Sequence, residues 1–160
     1  MATGDTIAMF DALTNRPPAS GAATIALEGA FPVNVFDDGT DRSVSFLVVV
    51  PGHYRGGELT AKATYLAASN TGQASLRCEL TRLSAGDAID PPPAADATVD
   101  FVAVAPATVG ELASATSSSA AVSGLLAGEL LLVTLVRRPG EADDTLSGDW
   151  KLVTLQIEEA

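Results

Sequence analysis

The clearest pattern along the chain is a strict alternation at Gln73–Thr81, where Ala74, Leu76, Cys78 and Leu80 interleave with Gln73, Ser75, Arg77, Glu79 and Thr81. Period two over nine residues predicts a strand with one face in a core and the other in water. The preceding run, Gly57–Ser69, mixes helix formers (Glu58, Leu59, Ala61, Lys62, Leu66) with strand formers (Thr60, Thr64, Tyr65). Its Gly56-Gly57 lead-in and the short turn Asn70-Thr71-Gly72 favour a strand, so the two runs read as a hairpin. Ser43–Val50 carries Val44, Phe46, Val48 and Val50 on one face and stops at Pro51-Gly52. Thr98–Ala105 sets Val99 and Phe101 against Asp100. Glu129–Arg137 is apolar on both faces, which predicts a central strand covered on both sides. Trp150–Glu158 places Val153, Leu155 and Ile157 on one face. Thr6–Phe10, Ala23–Leu27 and Phe31–Phe36 complete the set.

These are eight or nine short strands between turn-rich segments, with no long amphipathic helix. The fold they predict is all-β: an antiparallel, jelly-roll-like β-sandwich. Residues 1–22, with Pro17-Pro18 and Gly21, read as an N-terminal arm or a first edge strand, and residues 23–160 as one sandwich domain. Ser84–Ala97, with Pro91-Pro92-Pro93 and three aspartates, reads as a stiff connection that crosses between sheets or reaches a neighbour. Ala113–Ser123 is almost entirely small residues and suits a thin edge strand or a surface loop.

Composition removes whole classes of function. At 160 residues the chain fits one domain able to bury ~70% of its unfolded surface. One cysteine excludes an intrachain disulfide framework, and one cysteine with one histidine excludes a Cys/His zinc site. Twenty acidic against nine basic residues, a net charge of −11, repel nucleic-acid phosphates. No apolar stretch approaches the ~20 residues of a membrane span. Met1–Phe10 has neither a basic n-region nor a cleavage site, so the expectation is a soluble protein without a secretion signal.

Candidate chemistry is sparse. His53 lies in Pro51-Gly52-His53-Tyr54, but no Gly-x-Ser-x-Gly elbow accompanies it, and Cys78 sits on the apolar face of its strand. Both therefore read as loop and core residues. Two acidic clusters, Asp37-Asp38-Gly39-Thr40-Asp41 and Glu141-Ala142-Asp143-Asp144 with Asp149, offer the oxygen ligands that calcium takes. Neither has EF-hand spacing, and both also read as strand-connecting turns. A carboxylate pair for glycoside hydrolysis would need acids from separate strands across a cleft. Aromatic residues make up only 5% of the chain, whereas sugar-binding surfaces usually present flat aromatic platforms. Trp150, Tyr54 and Tyr65 read as core or strand-end packing, and Arg137-Arg138 as a solvated strand end. No catalytic, cofactor or metal residue is assigned.

Two stretches carry a family likeness. One is Phe46-Leu-Val-Val-Val-Pro51-Gly-His-Tyr54-Arg-Gly56-Gly-Glu-Leu59, followed by Cys78-Glu-Leu-Thr-Arg-Leu83-Ser-Ala-Gly86-Asp87. The other is Leu125-Leu-Ala-Gly128-Glu129 into Leu135-Val-Arg137, then Asp143-Asp144-Thr145-Leu146-Ser147-Gly148-Asp149 and the closing strand. From Ser43 to Glu158 this layout resembles small virion proteins of tailed bacteriophages, with Pro91–Ser123 matching only as a long connection. The resemblance implies a jelly-roll sandwich, commonly trimeric, that decorates a capsid or heads a spike or fibre. The leading expectation is thus a non-enzymatic, homotrimeric decoration or cement protein. It would bind the major capsid protein on the outer surface of the virion, without cofactors, membrane or nucleic acid. The alternatives are a tail, spike or fibre head contacting a host receptor, and a calcium-dependent carbohydrate-binding module.

Overall fold

The structure, a computed structural model, describes residues 5–160. Its ten strands are β1 Asp5–Asp11, β2 Thr24–Glu28, β3 Phe31–Phe36, β4 Arg42–Val49, β5 Leu59–Ala67, β6 Gln73–Leu83, β7 Ala97–Val104, β8 Ala113–Thr116, β9 Leu130–Arg137 and β10 Trp150–Glu159. Among the described residues the only helical element is a single 3₁₀ turn, Ala12–Thr14, capped by Asp11 Oδ1 accepting from the Leu13 and Thr14 amides.

The strands form two antiparallel sheets packed face to face. One runs β2-β3-β10-β5-β8, with β1 also on β10; the other runs β4-β9-β6-β7. Alternating residues of the two inner faces make the core: Leu59, Ala61, Ala63 and Tyr65 of β5 against Leu76, Cys78 and Leu80 of β6 and Leu131, Val133 and Leu135 of β9. Phe10 stacks on Phe46 at 4.7 Å between centroids, and Trp150 packs against Phe36 and Tyr65 at 5.2 and 5.3 Å.

Residues 5–11 of the N-terminal segment lie along the end of β10, from Asp5 opposite Glu159 to Asp11 opposite Thr154. The chain then runs down the edge of β4, where the Arg16 and Ala23 amides donate to the Ser45 and Ser43 carbonyls. Residues 1–4 lie outside the described residues.

Four expectations are corrected. β5 and β6 are not a hairpin, because each already has a partner on both edges: β10 and β8 flank β5, and β9 and β7 flank β6. Ala68–Gly72 instead arches from one sheet to the other, so the two alternating patterns face each other across the core. The Ser84–Ala97 connection does not cross between sheets; it joins β6 to β7, neighbours in one sheet, and is tied down by Asp96 Oδ2 accepting from the Arg82 amide at 2.7 Å. β9 is central but covered on one side only, since Leu132, Thr134 and Val136 remain half-exposed. In β10 a register shift against β5 between Leu152 and Thr154 reverses the alternation. Trp150 and Leu152 thereby join Leu155 and Ile157 inside, and Val153 turns outward.

Candidate functional site

The sequence-selected residues serve the fold. His53 is exposed, its Nε2 3.1 Å from the Thr6 carbonyl oxygen. Cys78 is fully buried; burial, with Glu79 adding to it, pushes the thiol up to about 12. Tyr54, Tyr65 and Trp150 are all buried, with the tyrosine hydroxyls donating to the Gly57 and Val104 carbonyls.

Arg137 overturns the reading of a solvated strand end. It is fully buried on the inner face of β9, because the residue's parity matches Leu131, Val133 and Leu135. It gathers the two acidic clusters at one end of the sandwich. Nε and one terminal nitrogen donate to Asp144, the same nitrogen to the Leu146 carbonyl, and the other terminal nitrogen to the carbonyls of Phe36 and Gly148. Asp38 joins from the opposite loop, accepting from the Gly148 amide at 2.7 Å. Asp37 folds its own turn, accepting from the Gly39 and Thr40 amides and, through Oδ2, from Arg42 Nε at 2.6 Å. The Arg42 hydrogen bond, seconded by the Thr40 amide, lowers the Asp37 carboxyl to about 2. The charge around which these loops fold is therefore a guanidinium. Arg138 beside it bridges Asp100 and Glu141 at 3.4 Å.

A groove lies on the outward face of the six-stranded sheet, built by residues the sequence did not single out. Glu28 and Phe31, paired at the β2–β3 turn, form one wall. The β7–β8 loop brings Gly110 and Leu112 as the other, and Leu66 with the bulge residue Val153 makes the floor. The groove encloses about 390 Å³. Of the eight aromatic residues Phe31 alone is exposed, at 69%, while the others are buried or half-buried. Lys151, opposite Leu66 on β10, pairs with Glu28 at the rim.

The same outward face continues beyond the groove as a polar ladder. Thr154, Thr64 and Ser114 form one row across β10, β5 and β8, and Gln156, Lys62 and Thr116 the next. Strand spacing sets such side chains about 4.8 Å apart across the sheet. An apolar wall with one flat ring, bordered by hydroxyls, an amide and an ammonium, suits a ligand with an apolar face and many hydroxyls. Its one lining carboxylate, Glu28, is held by Lys151. The signal in the sequence was slight: a phenylalanine directly after the Gly29-Ala30 turn, where alternation predicts nothing about burial.

No protein-family model matches the chain, and no curated protein matches its sequence. Solved structures match its fold. The family 11 carbohydrate-binding module from Clostridium thermocellum, in complex with a β-1,3-1,4-mixed-linked tetrasaccharide, superposes with a TM-score of 0.55 at 9% identity, covering 100% of this chain and 98% of that one. A putative sugar binding protein from Bacteroides thetaiotaomicron gives 0.50 at 10% identity, covering 96% and 88%. A ruminal GH26 endo-β-1,4-mannanase gives 0.50 at 12% identity, and the chain spans only 27% of that enzyme's length. The fold is a jelly-roll β-sandwich.

Proposed function

We propose that this chain is a non-catalytic carbohydrate-binding module and that the Phe31 groove is its glycan site. The observation that carries the reading is Phe31 itself, the one aromatic ring the fold leaves exposed, standing over an apolar groove that opens onto a row of hydroxyl, amide and ammonium groups. Likeness of fold to a carbohydrate-binding module along nearly the whole of both chains supports it. The net charge of −11 favours neutral glycans over polyuronates and sulfated chains. The reading does not call on calcium: in the two acidic loops Asp37, Asp38 and Asp144 are already engaged by amides and guanidinium groups.

The test is calorimetry and affinity electrophoresis against neutral β-glucans, mannans, xylans and galactans. One class binds, and Phe31→Ala or Leu112→Ala weakens it at least about tenfold, ~1.4 kcal/mol, with the melting temperature unchanged. Binding that survives Phe31→Ala moves the site elsewhere, and no binding across the panel removes the reading.

A second reading keeps the sandwich on a virion, as capsid decoration or as the head of a spike or fibre. It is supported by the sequence layout from Ser43 to Glu158, which falls on β4 to β10, and by an exposed apolar pair, Val49 opposite Leu130. Decoration predicts saturable binding to empty capsid shells that is insensitive to Phe31→Ala. In a spike or fibre head the groove itself would meet the host's surface sugars.

A further inference from the structure

We propose that β2 is a self-association edge, at which two copies of this chain pair their β2 strands antiparallel about a two-fold axis. An open strand edge is a template for another strand, and folds blunt the edges they do not use. Among the described residues every other edge is blunted. The chain from Arg16 to Ala23 covers β4, with Arg16 N–Ser45 O at 2.7 Å and Ala23 N–Ser43 O at 3.0 Å. β1 carries aspartates at both ends and a register shift between Thr6 and Ala8. β8 is only four small residues, Ala-Ser-Ala-Thr. β7 presents Asp100, clamped by Arg77 at 2.7 Å, and its Val104 carbonyl is taken by the Tyr65 hydroxyl.

β2 has no covering segment and no register shift, and its one charge stands at its end. Thr-Ile-Ala-Leu-Glu contains no proline, lysine or bulge, and its pairing with β3 is unbroken from Thr24–Val35 to Glu28–Phe31. Ile25 and Leu27 point to the same side and are 57% and 70% exposed. Charge identifies the occupant. A chain of net charge −11 repels its own copies over most of its surface, but the single charge on β2, Glu28, is neutralised by Lys151. The strand is also complementary to itself. With the axis through Ala26, Ile25 faces the partner's Leu27 twice, Thr24 faces the partner's Glu28 twice, and no like charges meet. Five residues of strand cover less than the ~1,000 Å² of a tight interface, so the dimer is concentration-dependent, with a dissociation constant on the order of 10–100 μM.

Sedimentation equilibrium over that range tests the proposal, independently of any glycan. The wild-type chain shifts from monomer to dimer. Ile25→Lys/Leu27→Lys sets like charges opposite each other at both facing pairs and leaves a monomer with an unchanged melting temperature. Ile25→Lys/Leu27→Glu sets opposite charges there and restores the dimer. A wild-type monomer or trimer throughout, a double-lysine variant that still dimerises, or two double variants that behave alike would each overturn it.

Discussion

Arg137 and Asp144 form a two-pronged ion pair inside the sandwich, Nε to Oδ2 at 3.0 Å and a terminal nitrogen to Oδ1 at 2.9 Å, with side chains 0% and 2% exposed. The remaining three N–H groups of the guanidinium reach the carbonyls of Phe36, Leu146 and Gly148. The Ser75 amide adds a further bond to Asp144 at 2.9 Å. One buried cation thus joins the end of β3, β6, β9 and the β9–β10 loop. Desolvating both charges is costly, and the complete set of hydrogen bonds is what makes the arrangement tolerable.

Breaking this pair from one side leaves an uncompensated buried charge. Asp144→Ala and Arg137→Met are each expected to lower unfolding free energy by about 3–5 kcal/mol in urea titrations, with Arg137→Met/Asp144→Leu milder than either alone. Arg137→Lys also destabilises, because an ammonium cannot supply the fork that five acceptor contacts require. A loss below about 1 kcal/mol for Asp144→Ala would show that the pair is not holding the loops.

Chelation should do nothing. Of the carboxylates in the two acidic loops, Asp37, Asp38 and Asp144 already accept hydrogen bonds from Gly39, Thr40, Arg42, Gly148 and Arg137. The melting temperature is expected to be the same in excess EDTA and in millimolar calcium. An ion bound only by the folded chain would raise it by mass action, and a calcium-dependent rise would contradict this assignment.

Asp37 sets a limit on acid stability. Its folded carboxyl, at about 2, lies below the ordinary 3.8, so the unfolded chain takes up the proton first. The stabilisation is complete above the unfolded value and disappears as pH falls through about 2. At 38% exposure the Arg42 contact is screened and is worth no more than about 1 kcal/mol. Melting curves of Asp37→Asn should therefore fall below wild type at pH 6 and converge with it near pH 2. A constant gap across that range would assign the effect to the turn geometry instead.

Gly72 and Gly56 share φ +86° but differ in surroundings, which separates strain from crowding. A Cβ on Gly72 would lie 2.5 Å from the Thr145 carbonyl oxygen and 2.8 Å from its carbon, whereas one on Gly56 meets nothing within 4 Å. Gly56→Ala should cost about 1 kcal/mol for the left-handed backbone alone. Gly72→Ala should cost at least about 2 kcal/mol more, since only backbone stands in the way. Equal losses in denaturant melts would mean the arch moves freely away from the β9–β10 loop.

Strands were legible where one face is wet and the other dry: β6 declares itself through Ala74, Leu76, Cys78 and Leu80, and Phe31–Phe36 is found to the residue. Pairing was not legible. Asn70-Thr71-Gly72 is as short as a hairpin turn, and nothing local distinguishes that from an arch between sheets. Val153 was assigned inward because the bulge that expels it depends on the register with β5. Arg137 looked solvated because its five acceptors come from Phe36, Asp144, Leu146 and Gly148, two loops and a strand apart. The groove escaped notice for the same reason: Phe31 and Leu112 meet only across a finished sheet.

β10 carries a further consequence. β3 and β1 share one of its edges and β5 holds the other, so the six-stranded sheet remains in separate pieces until residues 150–159 are in place. On a ribosome, β1 and the edge of β5 that faces β10 both wait for the strand of this domain that is made last. Closure is a late, single event, slow because its contacts are distant in the chain. Fragments released before Trp150 should be captured by chaperones or degraded, so that in the cell this domain is either whole or absent.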